Sequence, residues 1–150
     1  MLHSRNKLLI DIIAAIFILL FTYTAISKLR DHTKFYYTIR RSPLIGDKAA
    51  FVSWALPFNE LFVAALLFFL STRALGLKIS FALMVLFTLY IGYMLAFTSH
   101  LPCSCGGVIS HLSWKNHLYL NIGLTLLAGW GIWLMNKTKK QMPFQYSARV

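Results

Sequence analysis

The chain has 150 residues, 58% of them hydrophobic and only 13% charged, with a mean hydropathy of +0.64. That balance excludes an ordinary soluble domain. Fifteen Lys and Arg stand against four acids, Asp11, Asp31, Asp47 and Glu60, for a formal net charge of +11. The basic residues sit at the ends of apolar runs, so the lipid bilayer with its anionic headgroups, and not nucleic acid, is the expected partner.

Four apolar runs are read at about residues 8–26, 49–70, 79–97 and 118–135. Each approaches the roughly 20 residues that cross a hydrocarbon core of about 30 Å. No water in that core can satisfy a backbone amide, so runs of this length are expected to be α-helices. The basic start and first apolar run look like a signal peptide, but the run is long and three more follow, which favours a retained span. The expected fold is an all-α membrane protein, a single domain over residues 1–150 built as a four-transmembrane-helix antiparallel bundle with short connections.

The longest connection, residues 28–48, mixes Lys28, Arg30, Lys34, Arg40 and Arg41 with Phe35, Tyr36, Tyr37, Ile39 and Leu44. Such a mixture suits a short interfacial segment between the first two spans, a helix ending before Pro43, and equally a solvated basic loop. Orientation by loop charge is nearly tied. Arg5, Lys7, Arg73, Lys78, Lys137, Lys139, Lys140 and Arg149 lie on one side, and Lys28, Arg30, Lys34, Arg40, Arg41, Lys48 and Lys115 on the other. The compact basic cluster after the fourth run favours cytoplasmic termini, and with them an outward-facing loop between the third and fourth runs.

That loop holds the sharpest chemical signal, Ser99-His100-Leu101-Pro102-Cys103-Ser104-Cys105-Gly106-Gly107, followed by His111, Trp114 and His117. Cys103 and Cys105 are the only cysteines in the chain. Three readings are open for them: pairing with each other, binding a metal, or reacting with another molecule. An i to i+2 disulfide closes a small strained ring, which suits exchange better than stapling. Pro102 before the pair and Gly106 and Gly107 after it permit the tight turn such a ring needs. His100, Cys103, Cys105 and His111 form a possible soft-ligand metal set, but a thiol spacing of one is awkward for a tetrahedron, and no metal is expected. His117 reads as a headgroup-level start to the fourth helix, with proximity to a thiol as its alternative role.

Glu60 lies near the middle of the second run, one turn after Pro57. A carboxylate at bilayer depth costs about 2.5–3.5 kcal/mol on insertion scales, so it is expected to face the bundle interior with a partner or a job. Asn59, Tyr90 or Ser27 would serve as hydrogen-bonding partners; proton handling or ligand binding is the other reading. Lys28 closes the first run and either snorkels to the headgroups or pairs with an acid inside the bundle. Asp11 is expected as a first-turn acid favoured by the helix dipole.

Across nearly its whole length the chain resembles the MauE/DoxX-like family of small bacterial four-span membrane proteins. The likeness rests on Ala25-Ile26-Ser27-Lys28-Leu29, on Pro57 with Glu60-Leu61, on Tyr90, and above all on Pro102-Cys103-Ser104-Cys105-Gly106-Gly107 with Trp114 and His117. The resemblance implies a redox-associated protein of the bacterial inner membrane, linked to methylamine utilisation as an accessory in maturing a disulfide-rich periplasmic dehydrogenase. It implies Cys103 and Cys105 as the redox pair, with Ser27, Lys28 and Glu60 as motif positions of unassigned role.

The function expected on these grounds is thiol–disulfide exchange between an extracytoplasmic Cys103/Cys105 pair and a partner protein or thioredoxin-like shuttle. Whether that makes the chain an enzyme is open. No cofactor is identified; a quinone among the aromatic residues is an electron acceptor that no motif marks. Two rival readings are a non-catalytic assembly factor that docks through the cysteine loop, and a small-molecule or ion carrier centred on Glu60.

Overall fold

The computed structural model describes residues 2–97 and 114–147, with side chains over 5–97 and 115–138. His100, Pro102, Cys103, Cys105, Gly106, Gly107 and His111 lie outside the described residues. Within them every regular element is helical: α1 Leu2–Arg30, α2 His32–Arg40, a 3-10 turn Gly46–Lys48, α3 Ala49–Phe68, α4 Arg73–Phe97 and α5 Trp114–Ser147. Four segments are long and apolar enough to cross a membrane, namely Arg5–Arg30, Gly46–Phe68, Arg73–Phe97 and Lys115–Thr138. All four expected spans are present, and so is the short helix before Pro43.

The helices outrun the apolar stretches from which they were read. α1 begins at Leu2 and not near residue 8, α4 at Arg73 and not near 79, and α5 runs from Trp114 to Ser147 beyond both limits of 118–135. A helix satisfies its own amides in headgroups and water as well as in hydrocarbon, so hydropathy marks the crossing and not the helix ends. Asp11 is therefore well inside α1 instead of in its first turn. Its carboxylate is held by the Arg73 guanidinium at the start of α4.

Around the bundle α1 packs on α3, α3 on α4, α4 on α5 and α5 back on α1, while α2 lies against α3. The shared core is made of Phe17 and Phe21 from α1, Val63, Ala64 and Leu67 from α3, Leu77 and Met84 from α4, and Ala128 and Leu134 from α5. Large apolar side chains also cover the outside, among them Leu19, Phe51, Phe62, Leu86 and Leu126. Helices that are apolar all round, with polar residues such as Thr24, Ser53, Glu60, Ser80 and Asn121 buried inside, suit a bundle solvated by lipid.

One end of the bundle is drawn tight at the turn between α3 and α4. Arg73 Nε donates to the Leu67 carbonyl at 3.1 Å, and the Thr72 hydroxyl to the Leu66 carbonyl at 2.8 Å, satisfying carbonyls that a helix C-terminus leaves open. A Cβ on Gly76 would stand 3.0 Å from the Leu67 backbone nitrogen as well as from its side chain. At the opposite end α2 and the turn at 41–48 pack against α3. There the Tyr90 hydroxyl donates to Ser42 Oγ at 3.0 Å, while Gly46 N–H donates to the Ser42 carbonyl.

Gly76→Ala is expected to lower the thermal unfolding midpoint of the detergent-solubilised protein, by the about 1–3 kcal/mol typical of overpacking. Gly123 has nothing within 4 Å of an added Cβ. Gly123→Ala is therefore expected to hold or raise the midpoint, since Ala favours a helix over Gly.

Candidate functional site

The site is built from side chains one helical turn apart on three different helices. On α1, Phe17, Phe21, Thr24 and Lys28 point inward; on α3, Ser53, Pro57 and Glu60; on α5, His117, Asn121 and Thr125. Spacings of three and four residues put each set on one helix face. Pro57 is accommodated within an unbroken α3, though its missing N–H leaves the Ser53 carbonyl without its usual donor.

Lys28 and Glu60 meet at the centre. Lys28 Nζ donates to Glu60 Oε1 at 2.7 Å and to Oε2 at 2.9 Å. The carboxylate is shut away, with Glu60 only 1% exposed, and the Thr24 hydroxyl lies beside it. The ammonium also stands 5.8 Å from the centroid of the Phe35 ring on α2. One lysine thus links α1, α3 and α2. The pair forms because neither charge is tolerable alone at this depth, and two short charge-assisted hydrogen bonds offset their shared desolvation.

Two cavities adjoin the pair. The smaller, about 60 Å³, is lined by Phe21, Thr24, Glu60, Met84, His117 and Asn121 among others. The larger, about 350 Å³, has Lys28, Phe35, Ile39, Val52, Leu56 and Tyr90 in its wall. Phe87, His117 and Asn121 line both. Asn121 is held in place by donating Nδ2–H to the His117 carbonyl at 3.0 Å, and its own carbonyl accepts from Thr125 at 2.8 Å. Thr125 in turn shares a 3.2 Å hydroxyl contact with Thr88 on α4.

Lys28, Glu60 and His117, three of the residues singled out from sequence, are brought together. His117 is an inner-wall residue of the first turn of α5 and not simply a headgroup anchor. Glu60 takes Lys28 as its partner, and not Asn59, Tyr90 or Ser27. Sequence reading missed Thr24, Ser42, Phe87 and Asn121. The periodic series His117, Asn121, Thr125 was the available signal for Asn121, because three polar residues at i, i+4 and i+8 in an apolar span share a face. Among the described residues no three His, Cys, Asp or Glu side chains are grouped to hold a metal.

The chemistry of the pair yields a test. Lys28→Met alone, or Glu60→Leu alone, leaves an uncompensated buried charge and is expected to cost about 3–5 kcal/mol. The loss should be read as reduced insertion and a lower unfolding midpoint in detergent. The double variant Lys28→Met/Glu60→Leu is expected to recover most of it, and a double variant as impaired as either single one contradicts the pairing.

No curated protein and no solved structure matches this chain. A family model does match, described as Methylamine utilisation protein MauE, over residues 6–134. That stretch contains the second and third candidate spans whole and most of the first and fourth, with the Lys28–Glu60 pair and both cysteines, and the chain belongs to the MauE family.

Proposed function

We propose that this protein is a membrane-embedded thiol–disulfide exchange protein whose working pair is Cys103 and Cys105. One observation carries the reading. The stretch 98–113 with both cysteines joins the end of α4 to the start of α5 in the chain, and those two helix ends belong to the end of the bundle holding Lys28, Glu60, His117 and both cavities. Among the described residues, the opposite end carries the Asp11–Arg73 pair and the tight α3–α4 turn. Family membership supports a membrane role linked to methylamine utilisation, and a partner rich in disulfides fits that role.

The exchange balances without a further reagent. A partner thiolate attacks one sulfur of the Cys103–Cys105 disulfide, forming a mixed disulfide and releasing the other cysteine as a thiolate. The partner's second thiol then attacks its own sulfur in the mixed disulfide, closing the partner's disulfide and freeing the second cysteine. Two electrons and two protons have moved from the partner dithiol to the pair. An oxidised thioredoxin-like shuttle restores the pair by the reverse exchange. The loop faces outward across a bacterial inner membrane, into the compartment where disulfides persist. Glu60, neutralised by Lys28, is not the free carboxylate that an ion carrier would need.

Intact cells treated with a membrane-impermeant thiol reagent test this directly. Labelling of Cys103 and Cys105 is expected only after mild reduction, and the Cys103→Ser/Cys105→Ser variant is expected to insert normally yet leave the partner's thiols unoxidised. Labelling that requires the membrane to be opened overturns the outward loop. Full partner oxidation by the double serine variant overturns the exchange chemistry and leaves the loop as a docking surface.

A further inference from the structure

We infer that the larger cavity is a binding site for an uncharged, lipid-soluble carbonyl compound of the quinone class, entered from the bilayer. The argument needs neither cysteine, so it stands or falls apart from the exchange reaction.

Size and shape come first. The cavity is about 350 Å³ and is bounded by α2 with Ile45 on one side, Val52 and Leu56 of α3, the half of α4 from Leu86 to Ile91, and the first turns of α5. That volume falls within the roughly 300–1,000 Å³ of small-molecule pockets. α3 and α4 meet closely at their shared turn, where Gly76 abuts Leu67, and the cavity lies toward the other end, where α2 packs on α3. Leu86 lines the cavity and is also 60% exposed on the outer, lipid-facing surface of α4. The wall is thus continuous with the face that lipid covers, so an apolar ligand need not cross water to arrive.

Charge decides the kind of ligand. Among the described residues of the wall the one lysine or arginine, Lys28, is already neutralised by Glu60 at 2.7 Å. An anionic occupant would have to displace a buried carboxylate, and a cationic one would meet the ammonium. A neutral molecule meets neither obstacle. The polar atoms at the inner end include donors not used by the interactions already described. An ammonium carries three N–H bonds and two go to Glu60; a carboxamide carries two and Asn121 commits one to the His117 carbonyl. The His117 ring lies in the same wall. Donors at one end, with Phe35, Phe87, Val52, Leu56 and Ile91 around the rest, fit a flat ring bearing carbonyl acceptors and an apolar tail. Ester carbonyls of a bilayer lipid carry the same acceptor chemistry on a bulkier, branched body, and the experiment separates the two sources.

The test is equilibrium binding of a decyl-substituted benzoquinone to the intact protein in lipid nanodiscs. Saturable binding of one molecule per chain is expected, with a decyl-cyclohexane lacking the carbonyls at least about tenfold weaker, the equivalent of about 1.4 kcal/mol. Leu56→Trp, which fills the cavity from its apolar wall, is expected to weaken binding by at least about tenfold while keeping the wild-type unfolding midpoint. Should that variant unfold, Val52→Phe supplies a milder filling of the same wall. Absence of saturable quinone binding by the folded wild type overturns the assignment. So does undiminished binding by a folded, filled variant, or competition by an equimolar diacylglycerol as strong as that of unlabelled benzoquinone.

Discussion

The ion pair between Lys28 and Glu60 is the constraint on which the rest of the arrangement depends. Within hydrocarbon neither an ammonium nor a carboxylate finds water, so each residue is tolerable only where the other is. Their meeting fixes the last turn of α1 against the middle of α3. Because the same ammonium stands over Phe35, it also sets how α2 folds back after Arg30. α2 then carries the chain to Ser42, which the Tyr90 hydroxyl ties to α4. The mouth of the bundle is thus defined by a chain of polar contacts that begins at one buried charge.

The two ends of the bundle differ in a way that follows from where their charges lie. Asp11 and Arg73 also pair, but the Asp11 side chain is 56% exposed, and exposed pairs are typically worth no more than about 1 kcal/mol. Arg73 contributes at least as much through geometry, since its planar guanidinium reaches both the Asp11 carboxylate and the Leu67 carbonyl. That end is closed by close backbone approach. The other end carries a short amphipathic helix packed on α3, and the larger cavity lies between that helix and α4.

The fold was legible in the sequence because one physical requirement governs it: twenty apolar residues in a row have no alternative to a helix in lipid. Helix ends were not legible, since the polar residues that flank a span are as helical as the span itself. The interfacial helix announced itself through Phe35 and Ile39, which are four apart, flanked by basic residues and followed by Pro43. In the site, Glu60 and Lys28 stood out as charges in apolar surroundings, but their mutual pairing did not. Thirty-two residues separate them, and only packing of α1 on α3 decides whether their faces coincide. Asn121 and Thr24 were hidden for a different reason. Uncharged polar residues are common enough in spans that only their spacing, not their presence, carries information.

Lys28, His117 and Asn121 give the bundle one further property. His117 lies in the first turn of α5, three residues after the helix begins at Trp114, and so directly follows the loop that carries Cys103 and Cys105. The same His117 and Asn121 separate the small cavity beside Glu60 from the larger one beside Lys28. A rotation of the first turn of α5 would shift the wall of both cavities, while Thr125 and its contact with Thr88 hold the next turns against α4. The stretch with both cysteines is thus joined in the chain to a helical turn that lines both cavities. Any coupling between the proposed exchange pair and the proposed ligand site would be reciprocal by thermodynamic necessity. The turn from Trp114 to Asn121 is where loop chemistry and ligand binding would have to meet.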